Sequence, residues 1–406
     1  MIRFLTAGES HGKSLCVIVD GFPSNFKLSS DYINKQLRRR QFGYGRGTRM
    51  NIESDEVEIL SGIRYGKTLG SPISMLIKNK DWNNWFDVMS IEMNKNISEK
   101  ISIPRPGHAD LNGTIKFNYD DIRNSIERSS ARETAARVAA GSVARKFLSE
   151  FGISVGSFVE SIGGIYSKEN FLSRLFENDL TTNFNAEQII SASDKSQVRV
   201  LDENQERQII NKIKKAKKNG DTLGGTFIVI ATGIPIGLGS FMSYDRKLDA
   251  DIAQAIMSIN AVKGVEIGLG FESSDKYGSQ VHDEIIIKDN FFHRKTNYAG
   301  GIEGGISTGL PIIIRGAMKP ISTLMKPLKS IDLTSMKEVE SRRERSDFVA
   351  VPACAVIAES MLAWVIAKHF LDKFGGDSIE ETKSNYLNFT KNIIKRVTKN
   401  FRKKNA

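Results

Sequence analysis

The sequence predicts an α+β fold built as a single large domain. Patterns typical of helices and of strands are mixed along the chain, without the regular alternation that a doubly wound sheet would show. We find no internal repeat at the periods of roughly 20–50 residues that mark solenoids and propellers. The 406 residues suffice for one large domain or two ordinary ones, and no linker divides the body of the chain.

The first half of the chain begins with strand signals. Short β-branched runs predict strands, and a serine before an apolar periodic run predicts the start of a helix. The expected elements are strands at Ile2–Thr6 and Leu15–Val19, a helix from Ser29 or Ser30 to about Arg40, strand-like pieces up to Lys78 and a mostly irregular stretch over 81–120.

The second half is dominated by helix signals. We expect a long helix that begins at Asp120 and is stopped by Gly152, with an Ala and Gly run at Ala135–Ala144 that permits close packing. The polar stretch 165–200 predicts nothing definite. The remaining expected elements are helices at Glu203–Asn219, Leu248–Val262 and Pro352–Phe370 and a buried strand at Thr226–Thr232.

Composition limits the function classes. The net charge is +11, but the last sixteen residues hold seven Lys or Arg and no acid, so that 11 − 7 = +4 remains for the rest. The excess of basic over acidic residues is therefore only weak support for nucleic acid binding. We expect a catalytic domain over 1–375 and a basic C-terminal tail over 376–406.

Compartment signals point to the cytoplasm. No apolar secretory segment is visible near the N-terminus, and two distant cysteines suit a reducing environment. The most apolar run, Val351–Ala367, is about one turn short of a membrane span and contains Glu359, so it predicts a buried helix. We expect no membrane partner.

The stretch AGESHGKS, residues 7–14, matches a relaxed phosphate-loop pattern. A phosphate loop needs a helix after the Lys-Ser pair, so that backbone N–H groups face the phosphates. Here Leu15–Val19 reads as a strand, which argues against an ATP site. What remains is Glu9-Ser10-His11-Gly12 on a turn, either a surface turn or a place for proton transfer by His11.

Arginines without nearby acids form the second signal. The segment RRRQFGYGRGTRM, residues 38–50, holds five arginines, three glycines and two aromatic residues. It can be a solvated loop, an RNA-binding segment, or a pocket for a small polyanion, which guanidinium groups bind through paired hydrogen bonds. Two further segments favour the pocket: PRPGHAD with Arg105 and His108, and the long helix, where the spacing of Arg128 and Arg132 predicts one shared face.

Several other sites are not supported. The sequence has no HExxH or CxxC metal motif, no GxGxxG followed by a helix, and no GxSxG nucleophile motif. We therefore expect no metal ion. Glu344-Arg345-Ser346-Asp347, just before the apolar run near the C-terminus, is a further candidate segment.

Taken in order, these segments resemble the chorismate synthase family. The resemblance covers roughly residues 1–370, and several long blocks in one order make it highly specific. It rests on LTAGESHG, RRRQFGYGRGTRM, PRPGHADL, ERSSARET, GDTLGG, RKLDADIAQAIMSINAVKGVEIGLGFE, GGIEGG, KPISTL and ERSDFVAVPA. The departures, around 165–200 and in the basic tail, touch no family motif.

The resemblance implies a β-α-β sandwich fold, a homotetramer, and conversion of 5-enolpyruvylshikimate 3-phosphate to chorismate. The reaction is a 1,4-anti elimination of phosphate that needs reduced FMN. A substrate with one phosphate and two carboxylates would explain the arginines. By similarity, the residues that bind it are Arg40, Arg46, Arg49, Arg105, Arg132 and Arg345.

The resemblance also implies the flavin contacts and the proton carriers. NADPH would contact Arg40 and Arg46 only in members that reduce their own flavin. His11 would protonate the leaving phosphate, His108 would protonate or stabilise the reduced flavin, and Asp347 with Ser10 would assist removal of the C6 proton. The residues expected to hold FMN are Arg128, Ser129, Ser130, Asn260, Ala261, Gly304, Lys319, Pro320, Ile321, Ser322, Thr323 and Arg345.

Overall fold

The computed structural model describes residues 1–47, 54–93, 99–177, 185–288, 291–343 and 347–404, with side chains as far as Lys395. Its helices are α1 Ser30–Gln41, α2 Trp82–Trp85, α3 Asp110–Phe117, α4 Arg123–Ser129, α5 Thr134–Ser149, α6 Phe171–Phe176, α7 Ala186–Ser193, α8 Glu203–Lys218, α9 Leu248–Met257, α10 Gly278–Val281, α11 Val351–Phe374 and α12 Ile379–Lys404.

The strands are distributed along the chain from Arg3 to Glu340. They are β1 Arg3–Ala7, β2 Ser14–Asp20, β3 Val57–Ile59, β4 Ile63–Arg64, β5 Lys67–Thr68, β6 Ile73–Lys78, β7 Ser154–Ile162, β8 Ile165–Tyr166, β9 Gly225–Thr232, β10 Val262–Ile267, β11 Ile285–Lys288, β12 Phe291–Arg294, β13 Ile302–Glu303, β14 Ile306–Ser307, β15 Ile312–Met318, β16 Lys329–Asp332 and β17 Lys337–Glu340.

Two antiparallel sheets enclose a layer of helices. One sheet has the order β1-β2-β6-β3 and the other the order β10-β15-β9-β7-β8. Helix α5 contacts β2 of the first sheet and β7 of the second, while α11 contacts α5, β7 and β9. The predicted α+β class is confirmed, with helices packed between sheets. A second, smaller core lies on the outer face of β7 and β9, where Ile189 of α7 meets Phe158 and Ile228.

The buried helix predicted near the C-terminus is confirmed as α11. Its length and its mean hydropathy of 1.6 would allow it to cross a membrane, but 94% of that apolar window is buried inside the protein. Pro352 occupies its first turn, where a missing N–H costs no hydrogen bond. The apolar run therefore forms the centre of the core.

The long helix predicted from Asp120 to Gly152 is wrong in one important respect. The chain leaves the helical conformation at Ser130, which has φ −63° and ψ 142°, and its hydroxyl accepts a hydrogen bond from the Arg132 backbone. Such a capping bond competes with helix continuation. The result is α4, a short turn at Ala131–Glu133 and then α5.

Other boundaries also differ from the sequence prediction. The stretch 81–120 contains α2 and α3, and 165–200 contains α6 and α7. The helix expected to reach Val262 ends at Met257, and Ala261, with φ +66°, then precedes the start of β10. The prediction Ser29 to about Arg40 is confirmed, since the Ser29 side chain caps α1 at Tyr32.

The tail over 376–406 begins in contact with the body. Ile379 and Thr382 are buried, and the Tyr386 ring packs against Phe370 and Phe374 of α11. The Ser24 N–H donates to the Asp377 carbonyl at 2.9 Å. The first turns of α12 therefore belong to the packed core of the molecule, whereas the division into two regions stays a prediction.

Candidate active site

One cavity of about 970 Å³ gathers most of the predicted site residues. It lies between the turn after β1, the end of α1, the loop before α3, helix α4, the chain that leads into β10 and the chain after β15. The predicted residues that line it are Ser10, His11, Arg40, Arg46, Arg105, His108, Ser129, Ser130, Arg132, Asn260, Ala261, Lys319, Ile321, Ser322, Thr323 and Asp347.

His11 stands on the turn between β1 and β2, and the strand predicted after it is confirmed as β2. Its ring Nδ1 lies 2.9 Å and 3.1 Å from the two carboxylate oxygens of Glu127, and its backbone N–H donates to Glu127 Oε2 at 2.7 Å. The ring also stacks on Trp85, with centroids 3.9 Å apart. Glu127 on α4 and Trp85 on α2 therefore define the orientation of this imidazole.

His108 lines the same cavity and has a similar partner. Its Nδ1 lies 2.5 Å from Asp110 Oδ1, while the Arg105 Nε donates to Asp110 Oδ2 at 2.8 Å. Burial acts to raise the pKa of Asp110, but hydrogen bonds from His108 and Arg105 outweigh it and hold that pKa well below its usual range. A second arm of Arg105 donates to the Thr323 hydroxyl at 3.0 Å.

Two arginines from different elements share one buried carboxylate. Asp55 accepts from Arg40 at 3.3 Å and from Arg132 at 2.5 Å, and its side chain is fully buried. Burial is the main cause that lowers the pKa of Arg40 to about 10, opposed by Asp55 and reinforced by Arg132. Arg40 therefore remains charged at neutral pH, and both guanidinium groups belong to residues that line the cavity.

Arg46 and Asp347 meet at the same cavity. Arg46 NH1 lies 3.1 Å from Asp347 Oδ2, and the Gly47 N–H donates to Asp347 Oδ1 at 2.6 Å. These contacts join the loop after α1 to the segment before α11. The carboxylate predicted to act near the flavin is thus held by a cation and a backbone amide.

The serines and the β10 turn form one continuous wall. The Ser130 hydroxyl donates to the Ser10 hydroxyl at 3.1 Å, and Asn260 Nδ2 donates to the Ser129 carbonyl at 3.0 Å. Among the residues that the structure describes, Asn260 Oδ1 is buried without a hydrogen-bond donor. Lys319 Nζ donates to the Gly107 carbonyl, and both residues line the cavity. This wall therefore offers hydroxyls, an amide oxygen and an ammonium group to a ligand.

Some predicted residues lie elsewhere. Pro320 and Gly304 do not line the cavity, and Gly304 stands between β13 and β14. Arg49 and Arg345 lie outside the described residues. Arg128 donates to the carbonyls of Thr6 and Gly8 and lines a separate depression of about 380 Å³.

The expectation that Arg128 and Arg132 share one helical face is wrong. The extended conformation of Ser130 stands between them, so that Arg128 points to β1 and Arg132 to Asp55 and Asn79. The i, i+4 spacing places side chains together only where the helix is continuous.

Sequence reasoning missed the partners of the predicted residues. These are Glu127, Asp110, Asp55, Trp85 and Arg123, of which Arg123 lies over the Trp85 ring with its guanidinium carbon 5.4 Å from the centroid. Asp110 stands two residues after His108, and Glu127 opens the block ERSSARET. A search for acids inside the family blocks would have found these two, whereas nothing local marks Asp55 or Trp85.

A metal centre has no support in the described part of the chain, where no three His, Cys, Asp or Glu side chains come together in a way that could hold an ion. The cavity instead combines two imidazoles, each beside a buried carboxylate, with several fixed guanidinium groups. This arrangement can bind a small polyanion and move protons at it.

Comparisons with known proteins agree with this geometry. The family model described as chorismate synthase matches residues 2–371. A chorismate synthase of Alkaliphilus metalliredigens is 52% identical over 96% of this chain and 100% of its own length, and one of Chlorobaculum tepidum is 53% identical over 94% of this chain and 96% of its own. A crystal structure of a chorismate synthase superposes with a TM-score of 0.78 at 43% identity, covering 97% of this chain and 98% of that chain. The chain is thus an enzyme, a lyase of aromatic amino-acid biosynthesis, and belongs to the chorismate synthase family.

Proposed function

We propose that this protein converts 5-enolpyruvylshikimate 3-phosphate to chorismate and inorganic phosphate by a 1,4-anti elimination that requires reduced FMN. The observation that carries the proposal is that His11, His108, Arg40, Arg105 and Arg132 line one cavity. The substrate carries about four negative charges near neutral pH, and fixed guanidinium groups are suited to bind and orient such an anion.

The cavity suits a flavin as well as the substrate. Its volume of about 970 Å³ lies at the upper end of the usual range for ligand sites, which leaves room for two ligands. The buried Asn260 Oδ1 can accept from a bound N–H group, and Lys319 can neutralise a phosphate. Ser129, Ser130 and the segment 319–323 would complete the flavin site. When bound, reduced FMN supplies electron density to the substrate ring and recovers it, so that no net reductant is consumed.

The residues divide between anchoring and proton transfer. Arg40, Arg105 and Arg132 would hold the substrate anions and stabilise charge on the departing phosphate. In the elimination, the C3–O bond breaks and its electrons leave with phosphate, while C6 loses a proton. His11 is placed to donate a proton to the phosphate, and Asp347 to assist on the C6 side. His108 would serve the flavin, and NADPH would bind only if the enzyme reduces its own flavin.

Self-association is part of the proposal, as a homotetramer. Large apolar side chains are exposed along the segment 271–287, including Phe271, Tyr277, Ile285 and Ile287. Where such side chains form a contiguous patch, they mark a surface that another chain can cover. The proposal includes a cytoplasmic location and neither a nucleic acid nor a membrane partner.

The test is phosphate release under anaerobic conditions, with photoreduced FMN in catalytic amounts. We expect many turnovers for each flavin and no net oxidation of it. Turnover that consumed reductant in proportion to product, or that ran equally well without flavin, would show the proposal to be wrong. As a control for the site, His11→Ala should lower the rate on the order of 10²–10⁴-fold, because a positioned acid contributes that much.

A further inference from the structure

Glu127 is the buried acid closest to the proposed proton donor. Its exposed fraction is 3%, although it belongs to a short helix at the cavity wall. Both carboxylate oxygens lie within 3.1 Å of His11 Nδ1, and Oε2 also accepts the His11 backbone N–H at 2.7 Å. The Ser10 N–H donates to the Glu127 backbone carbonyl at 3.1 Å. Four contacts therefore join one residue of α4 to the turn that carries Ser10 and His11.

The chemistry of these contacts determines which ring nitrogen can react. An ionised carboxylate only accepts hydrogen bonds, so Nδ1 must carry its hydrogen in both the neutral and the charged imidazole. Nε2 is then the nitrogen without hydrogen in the neutral ring, and therefore the one that gains or loses the transferred proton. The same contacts fix the orientation of the ring, because a 180° rotation about Cβ–Cγ would place Cδ2 where Nδ1 now meets Glu127. The neutral form is thereby restricted to the tautomer with hydrogen on Nδ1.

The second imidazole shows why this pairing is specific. Asp110, the partner of His108, also receives hydrogen bonds from Arg105, so its negative charge is shared with a guanidinium group. Among the residues that the structure describes, the side-chain oxygens of Glu127 accept hydrogen bonds from His11. Its carboxylate is therefore directed at the Nδ1 side of the His11 ring.

We propose that Glu127 is a positioning residue for the elimination: it holds His11 with Nδ1–H toward the carboxylate, so that Nε2 delivers the proton to the departing phosphate. The inference rests on the proposed function. As the C3–O bond breaks, its electron pair goes to the phosphate oxygen and the Nε2 proton moves to that oxygen. The imidazole left behind is neutral and still donates through Nδ1 to Glu127. Glu127 itself keeps its charge throughout.

The decisive variant is Glu127→Gln, which preserves shape but removes the charge. A glutamine side chain can accept from Nδ1–H or donate to a bare Nδ1, so neither tautomer is imposed. We expect kcat to fall about 10- to 1000-fold, which does not exceed the loss expected when a positioned acid is removed altogether. KM and flavin affinity should change less than about threefold. Glu127→Asp keeps the carboxylate and should recover part of kcat. Glu160→Gln, which alters an ion pair with Arg315 outside the cavity, serves as the matched control and should leave kcat unchanged.

A second measurement does not depend on turnover. Nitrogen-15 NMR of labelled histidines distinguishes a protonated from a bare ring nitrogen, and five histidines make assignment by single substitution practical. We expect His11 of the wild-type protein to show protonated Nδ1 and bare Nε2 when neutral, and Glu127→Gln to show a mixture. His108 should keep its signals in that variant.

The outcomes separate this inference from the proposed function. A bare Nδ1 on neutral His11 in the wild-type protein would overturn the inference, even if Glu127→Gln failed to fold. Unchanged kcat in Glu127→Gln would also overturn it. If the wild-type enzyme released no phosphate from the substrate while His11 showed the expected tautomer, the proposed function would fail and the pairing itself would stand.

Discussion

At the residue scale, the cavity depends on buried acids that hold its cations in place. Asp55 is the clearest case, because Arg40 from α1 and Arg132 from the turn before α5 both bind its carboxylate. Removal of the acid would leave two buried guanidinium groups with less compensation, and such uncompensated charge is strongly destabilising. Asp55 therefore contributes to stability and to the shape of the anion site together.

We predict that Asp55→Asn lowers the free energy of unfolding by about 1–3 kcal/mol, since the amide keeps one acceptor but loses the charge. Substrate affinity should fall as well, because the two guanidinium groups are no longer held apart at fixed positions. Urea unfolding and substrate titration on the same protein measure both effects. Asp20→Asn is the control, because the ion pair of Asp20 with Arg3 is exposed. This substitution should change the free energy of unfolding by less than about 0.5 kcal/mol. If Asp55→Asn unfolded at the same urea concentration as the wild-type protein and bound substrate equally well, the role of Asp55 in holding the two arginines would be refuted.

At the element scale, a buried ionic network ties together the helices between the sheets. Glu359 of α11 accepts from Arg39 of α1, Arg145 of α5 and Arg199. Burial acts to raise the pKa of Glu359, but Arg39 and Arg145 outweigh it and hold that pKa below its usual range. Since Arg39 precedes the cavity residue Arg40, the same contact sets the position of α1 against α11 and of Arg40 in the site.

The crossing of α5 and α11 gives a second prediction at this scale. A Cβ on Gly141 would stand 2.4 Å from Ser360 Cβ and 2.6 Å from its carbonyl oxygen, so Gly141→Ala must push the helices apart. We expect a loss of about 1–3 kcal/mol in unfolding free energy, in spite of the better helix propensity of alanine.

Thermal and urea unfolding measure this loss. Gly278→Ala is the control, because the nearest atom to its added Cβ is a flexible His282 side chain at 3.4 Å and the change should be small. Equal stability of the Gly141→Ala and wild-type proteins would mean that the crossing adjusts without cost.

At the scale of the whole molecule, the C-terminal helix has two parts with different roles. Its first turns bury Ile379 and Thr382 and bring Tyr386 onto α11, whereas side chains from Lys391 onward, where described, are at least partly exposed. Apolar burial of this kind stabilises a fold by about 25 cal/mol per Å². The basic charge of the chain end therefore lies beyond the part that contributes to the core.

We predict that a chain ending at residue 375 is less stable than one ending at residue 395 by several kcal/mol, which is the order expected for losing several buried side chains. Turnover per folded molecule should be similar in both, because no cavity residue lies beyond Ala350 among those described. Thermal unfolding and single-turnover phosphate release compare the two proteins. If the shorter chain were as stable as the longer one, the packing of α12 onto α11 would contribute nothing.

Much of the architecture and of the site is determined locally, and the sequence alone indicates it. Ser29 marks the start of α1, the apolar run predicts α11, and strand β2 excludes a phosphate loop after His11. These signals arise from interactions within a few residues, such as capping and periodic burial. The family blocks likewise named most of the residues that line the cavity.

Only the tertiary structure decided how the named residues are paired. His11 and Glu127 are 116 positions apart, and Arg132 and Asp55 are 77 apart. Ser130 breaks the helix between Arg128 and Arg132, so their spacing along the chain misleads about their direction. The physical reason is that a buried charge must find a compensating partner wherever the packed elements provide one, and the elements that meet are set by the packing of the whole core.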